Sequence, residues 1–259
     1  MKTTIISLLL LCLMACKGNE LSDLRPAGIR RGYSQNHLDK AHELLSKLTE
    51  INGDFRAWQS YNNIRVEYVV DWPSVLKKTR ASNSNRFRHI WAVGSDRSIL
   101  TFKDGDDKEN SLGIRSGLTY IEKKGEKPQF KDNEDIRFWL PTLQYFLEFV
   151  YRIREADVKV YAGEQTLNGK KYDLVLATWG KAEPQAKLDQ YLLWLNKTGQ
   201  LEYLQYTVRD KSPKALGTVH YKKWKSIGKL NFPFQFNKIK SLQEQNKVGT
   251  IRIKEVKLF

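Results

Sequence analysis

Four histidines, two cysteines and a few close-set carboxylates are the side chains here whose types can carry catalysis or hold a metal. Their spacing offers little. His37 and His42 lie five residues apart in one predicted helix, about 140° apart around its axis, a poor pair for a single ion. His89 and His220 stand far from them in the chain. Asp104, Asp106, Asp107 and Glu109 form an acidic loop of the kind calcium favours, but the EF-hand pattern needs glycine where this loop has Glu109. The loop reads as a solvated acidic turn. There is no His-Glu-x-x-His, no Gly-x-Ser-x-Gly and no phosphate loop. No pair of carboxylates is singled out for glycoside hydrolysis. These patterns imply no cofactor and no catalytic set. The one reactive group in a telling context is the Cys16 thiol, which closes the run Leu13-Met14-Ala15-Cys16.

Around that thiol the chain has the anatomy of an export signal. Lys2 supplies a positive start, Ile5, Ile6, Leu8 to Leu11, Leu13 and Met14 an apolar centre, and Ala15 a small residue at the cut. Leu13-Met14-Ala15-Cys16 resembles the lipobox of a bacterial lipoprotein. The resemblance implies removal of residues 1–15, a thioether and acyl chains on Cys16, and attachment to a membrane. Two alternatives exist. A spanning anchor needs ~20 apolar residues, more than this stretch has. Plain secretory cleavage leaves the cysteine at the cut unexplained. Cleavage before Cys16 also discards Cys12, so no disulfide or cysteine-based zinc site is expected. Residues 16–33 carry Gly18, Pro26, Gly28 and Gly32 and read as a flexible tether. Lys17, not aspartate, follows Cys16. By the sorting rule of enterobacterial lipoproteins this implies a lipid-anchored place in the cell envelope, at the outer membrane in preference to the inner.

The chain is basic, with a formal net charge of +15, or +14 without Lys2. Residues 209–259 hold 13 Lys/Arg against Asp210, Glu244 and Glu255. Such an excess invites nucleic acid as a partner, but export removes the chain from it. Two readings are left. Lys222, Lys223 and Lys225 can meet anionic lipid or an acidic protein, or strand lysines simply face water and guard edges.

The elements that position these groups follow from periodicity. Ser34 can cap a helix whose stripe runs through Leu38, Ala41, Leu45 and Leu48 and which Gly53 ends. Asp54 can cap a short turn bearing Phe55 and Trp58. Alternation then predicts strands over 64–70, 86–93, 98–103 and 118–123, with Asp104-Gly105 as a hairpin turn. Further strands are predicted over 158–161, 171–179, 190–196, 201–209, 218–225, 230–237 and 249–258. Pro233 places the strand over 230–237 at an edge or bulge. A phase shift between Ile253 and Val256 predicts a bulge in the last strand. Residues 133–157 interrupt the strands. Asn133 can cap one helix there and Pro141 can open a second. Apolar residues cover more than one face of this segment, so it must be buried. It is expected either to fill the core or to act as a lid over an acyl-sized cavity.

The resulting fold class is mainly β with helices (α+β): a curled antiparallel sheet with an N-terminal helix and an inserted apolar helical segment, one domain over 34–259. This arrangement resembles the lipoprotein-localisation factors LolA and LolB, half-open β-barrels with helices in the mouth. More narrowly, it is similar to Bacteroidota lipoproteins of that shape. The matching stretch is 156–208, with Tyr161-Ala162-Gly163, Leu167-Asn168-Gly169-Lys170-Lys171-Tyr172-Asp173, Asp189-Gln190-Tyr191-Leu192-Leu193-Trp194-Leu195 and Thr198-Gly199-Gln200-Leu201; Gly228 to Phe236, with Phe232-Pro233-Phe234, fits as well. The resemblance implies binding of a lipid, an acyl chain or another hydrophobic ligand, without catalysis. Trp139, Leu143, Phe146 and Phe149 are expected to wall the cleft from the helix, with Trp91, Trp179 and Trp194 from the sheet. The competing expectation is a structural or interaction subunit of an envelope complex, with a solid core and no ligand.

Overall fold

The computed structural model describes residues 21–180 and 188–259. Residues 1–15, Cys16 and Lys17 lie outside them. Three helices come first among the described residues: α1 (Ala27–Arg30), α2 (Gln35–Asn52) and α3 (Phe55–Gln59). The strands β1 (Asn63–Asp71), β2 (Arg86–Ala92), β3 (Ser98–Phe102), β4 (Ser111–Arg115), β5 (Leu118–Glu122) and β6 (Gln129–Phe130) follow. After α4 (Glu134–Arg152) come β7 (Val158–Leu167), β8 (Lys170–Thr178), β9 (Tyr191–Leu195), β10 (Leu201–Thr207), β11 (Leu216–Ile227), β12 (Leu230–Ile239) and β13 (Lys247–Leu258).

All 13 strands of the described residues belong to one antiparallel, unclosed sheet in the order β6-β5-β4-β3-β2-β1-β13-β12-β11-β10-β9-β8-β7. Neighbours are sequential except where the last strand returns to pair with the first. The strict alternation of β1, with Ile64, Val66, Tyr68 and Val70 buried, sets this central seam. The predicted bulge is present: Glu67 pairs with Glu255 but Tyr68 with Ile253, so Lys254 is the extra residue.

The sheet buries both faces. Its inner, curled face packs on α2, α3 and α4 to form the main core. A smaller cluster on the outer face gathers Tyr172, Leu174, Leu192, Trp194 and Tyr203 under Ile29 of α1. Of the tether expected over 16–33, residues 16–20 lie outside the described residues, and the part from Ser22 on is not free. From Ser22 the chain is docked: Ser22 N–H donates to the Pro213 carbonyl at 2.9 Å, and Leu24 N–H to Gln190 Oε1 at 2.8 Å. Burial of Ile29 outweighs the local glycine content.

Helix α2 begins at Ser34, in a capping box with the His37 ring in the third position, and ends at Gly53 with φ 92°. The Asp54 carboxylate caps α3 by accepting from Ala57 N–H. Helix α4 departs from expectation. It is one continuous helix with Pro141 inside it, not two. Burial of its apolar residues against the sheet keeps it helical through a proline that removes one intrahelical bond. Its capping by Asn133, which accepts from Asp135 and Ile136 N–H, matches the sequence reading.

Three further corrections concern strands. Asp104-Gly105 is not a two-residue hairpin turn, since the β3–β4 connection runs from Lys103 to Asn110. Its carboxylates do not simply face water: Asp104 accepts from the backbone N–H of Asn85 and Arg86, and Asp107 from that of Ala81, clasping the β1–β2 connection. Pro233 lies in an interior strand, paired with Trp224 of β11. Pairing of β12 to β13 covers only Gln235 to Ile239, so the missing N–H falls beyond the β13 ladder.

Candidate functional site

The two edges of the sheet, β6 and β7, are the strands immediately before and after α4. The helix therefore crosses the inner face from one edge to the other. One side of it is driven into the core: Ile136, Leu140, Leu143 and Leu147 are buried. The side turned toward β9–β12 is not fully covered, and a cavity of about 620 Å³ lies there. This size falls within the ~300–1,000 Å³ of small-molecule sites.

Helical spacing builds the first wall. Phe138, Trp139, Thr142, Tyr145 and Phe146 recur on one flank of α4 and line the space. Tyr191 of β9, Tyr206 and Thr207 of β10, Gly217 of β11 and Lys238 of β12 form the opposite wall. Trp72 and the loop Gly94-Ser95-Asp96 close one end, and the β10–β11 connection with Val208, Lys211 and Ala215 forms the rim. Ring contacts knit the walls together. Phe146 lies 5.5 Å from Tyr206, Tyr145 5.6 Å from Tyr191, and Trp72 meets Trp139 edge-on at 5.3 Å. Gly217 is required at its place, because a Cβ there would collide with the Tyr206 ring.

Apolar surface predominates, but charged groups also reach the lining, Asp96, Arg152 and Asp210 among them. Gln144 donates through Nε2 to the Ser95 carbonyl and to Glu148 Oε2, both at 3.1 Å, tying the helix to the β2–β3 loop. Asp189 accepts from Thr207 Oγ1 at 2.9 Å and Arg209 N–H at 2.8 Å; burial raises its pKa. The Lys238 ammonium sits 5.5 Å from the Tyr206 ring centroid. Burial pushes its pKa down to about 8. Lys211 at the rim lies 4.6 Å over Phe138.

Behind α4 lies a second polar feature. The Glu148 carboxyl is fully buried and accepts at Oε1 from Trp58 Nε1 (3.1 Å) and Trp91 Nε1 (2.5 Å). Burial pushes its pKa up to about 7, against the lowering effect of these bonds. His89 is likewise buried, with its pKa pushed down to about 3 by burial. Among the described residues, no group of three His, Cys, Asp or Glu side chains can hold a metal ion. No described helix is long and apolar enough to cross a membrane.

The residues singled out from the sequence fall into three places. Trp139 and Phe146 line the cavity. Trp179 flanks it, 5.8 Å from Tyr145 and 5.3 Å from Tyr191. Leu143 lies on the core side of α4; Phe149 is buried on the cavity flank behind the wall, its ring 5.4 Å from Tyr145 and 5.5 Å from Tyr191. Trp91 is also core, held under the helix by Glu148. Trp194 stands on the outer face, where its indole donates to Gln205 Oε1, so it cannot wall a cleft on the inner face. Lys222, Lys223 and Lys225 lie on β11; Lys223 and Lys225 are exposed and away from the cavity. Cys16 lies outside the described residues. Sequence reasoning missed Tyr145, Tyr191, Tyr206 and Lys238. Only Lys238 had a signal: it keeps the parity of Phe232, Phe234 and Phe236 along β12.

No family model matches this chain, and no curated protein does either. Solved structures do. A DUF1329 family protein from Desulfovibrio piger aligns over 86% of this chain and 93% of its own, at 11% identity and a TM-score of 0.51. A LolA superfamily protein from Nitrosomonas europaea aligns over 85% and 93%, at 13% identity and a TM-score of 0.50. A domain described as an outer membrane lipoprotein-sorting protein from Vibrio parahaemolyticus aligns over 86% and 92%, at 9% identity and a TM-score of 0.50. At such identities the likeness is one of fold: the chain has a LolA-like, curled and unclosed antiparallel sheet with helices on its inner face.

Proposed function

We propose that this chain is a lipid-anchored cell-envelope protein that holds a lipid, an acyl chain or another hydrophobic ligand between α4 and the sheet, without catalysis. The observation that carries this reading is the cavity of about 620 Å³ walled by aromatic rings of α4, β9 and β10. Predominantly aromatic and apolar walls suit such ligands. Likeness in fold to a domain described as lipoprotein-sorting supports it.

The anchor in this reading is Cys16, acylated after loss of residues 1–15, at the outer membrane in preference to the inner. Ser22 is bonded to Pro213 and Lys214, in the same β10–β11 connection that forms the cavity rim. At 3.3–3.6 Å per extended residue, the segment from Cys16 to Ser22 reaches about 20 Å at most. An acylated Cys16 would thus keep the rim close to the bilayer surface.

Native mass spectrometry of the protein with Cys16→Ser tests the ligand. Co-purifying adducts of lipid mass, lost on addition of organic solvent, are expected. A bare mass under conditions that keep lipid on a known carrier overturns the reading. A second reading, an interaction subunit docking an acidic partner, draws on the exposed Lys223 and Lys225 of β11. Pull-down with Lys222, Lys223 and Lys225 reversed to Glu tests it, and unchanged partners exclude these lysines.

A further inference from the structure

Lys238 is out of keeping with its surroundings. It follows Phe232, Phe234 and Phe236 on the inner side of β12, and its side chain lines the aromatic cavity. Its ammonium faces the Tyr206 ring. Strand lysines elsewhere are either paired, as Lys171 with Glu164 at 2.9 Å and Lys257 with Glu255 at 3.1 Å, or exposed to water, as Lys223 and Lys254. Lys238 forms no ion pair among the described residues. Acids are at hand in the same cavity but do not serve it. Asp189 is committed to Thr207 and Arg209 N–H. Asp96 and Asp210 stand at the rim, and neither bridges to Lys238. Burial alone depresses the lysine, with no acid offsetting it. A half-buried cation without a counter-charge is unfavourable unless something anionic enters beside it.

We infer that Lys238 recognises the head of the ligand: the cavity takes a single-chain amphiphile with a carboxylate or phosphate head, set on Lys238, and its chain along the aromatic wall. This rests on the proposed function and narrows it. The volume argues for one chain, since about 620 Å³ is the space of one small ligand. The Tyr206 ring beside the ammonium positions the cation without neutralising it.

The test compares cis-parinaric acid with its methyl ester, which keeps the fluorescent chain and loses the charge. Both are titrated into the full chain bearing Cys16→Ser, at pH 7. The acid is expected to bind at least tenfold more tightly than the ester. Lys238→Met should bring the acid down to the level of the ester and leave the ester unchanged; Lys238→Arg and Lys211→Met should keep the preference. Should Lys238→Met fail to fold, Lys238→Gln carries the same comparison. Displacement of the probe by dodecanoate or by dodecyl phosphate then tells the two heads apart, while displacement by dodecanol alone contradicts an anionic head. Equal binding of acid and ester, or a preference that survives loss of the Lys238 charge, overturns this inference and leaves the apolar cavity as a ligand site. Binding of neither probe overturns both.

Discussion

The indole N–H of Trp91 donates to Glu148 Oε1 at 2.5 Å, joining β2 to the C-terminal half of α4 through a fully buried carboxyl. Trp58 of α3 donates to the same oxygen at 3.1 Å. Three elements thus meet at one acid in the core. A buried carboxylate is costly unless its oxygens are bonded, and here both are: Gln144 serves Oε2. Gln144 also lines the cavity, so the buried acid and the ligand space share a side chain.

This acid makes stability depend on pH. Burial lifts Glu148 from 4.5 to about 7, so between those values the folded protein keeps a proton that the unfolded chain has lost. Its contribution is fully present below about pH 4.5 and is lost as pH rises through 7. The size is on the order of 3 kcal/mol. His89 and His220, lowered from 6.5 to about 3 and about 4, act with the opposite sign over an overlapping range. The comparison is therefore with Glu148→Gln. Urea denaturation at pH 5 and pH 8 should show the variant gaining on the wild type as pH rises. Parallel pH profiles would exclude this role for Glu148.

Trp91→Phe keeps a ring in the core and removes the short hydrogen bond. A loss of about 1–3 kcal/mol is expected at pH 8, where the carboxyl is charged, and a smaller one at pH 5. A loss equal at both pH values would mean that packing alone explains it.

Thr142 lines the cavity from α4, and its hydroxyl donates back to the Phe138 carbonyl at 2.6 Å. Thr142→Trp adds bulk to open space without cutting a core contact. The thermal midpoint should hold within a few degrees while lipid adducts disappear from native mass spectra. Adducts retained at wild-type level would place the ligand elsewhere.

Pro141 sits inside α4, where its ring takes away an intrahelical bond. Pro141→Ala should restore that bond and raise stability by about 1–3 kcal/mol in chemical denaturation. A lower denaturation midpoint would show that the ring fits a bend the fold needs.

Much of the sheet was legible because its strands are half-buried and alternate. The β1 pattern and the Lys254 bulge are read directly from residue parity. Parity failed where both faces are covered. In β9, Leu193 and Leu195 face the main core while Leu192 and Trp194 face the outer cluster. An all-apolar strand gives no sign of which side Trp194 takes. Two strands were missed for other reasons. β6 is two exposed residues. β4 is short and carries Gly113, over which the Tyr120 ring lies so closely that a Cβ would collide with it. The cavity was the least legible, because Tyr145, Tyr191, Tyr206 and Lys238 come from separate elements and meet only through the curl of the sheet.

The path β6–α4–β7 joins the two strands farthest apart in the sheet. Hydrogen bonds leave the barrel open; the polypeptide closes it. At 1.5 Å per residue the helix is about 28 Å long, and this length, not a ladder, spans the gap between the edges. The clasp is itself pinned to the elements around it: Trp58 and Trp91 hold Glu148, Gln144 holds the Ser95 carbonyl, and the Tyr221 hydroxyl donates to the Phe146 carbonyl. The space beneath its flank is therefore set by side-chain bonds from helix to sheet, while the strand ladders alone would leave the two edges untied.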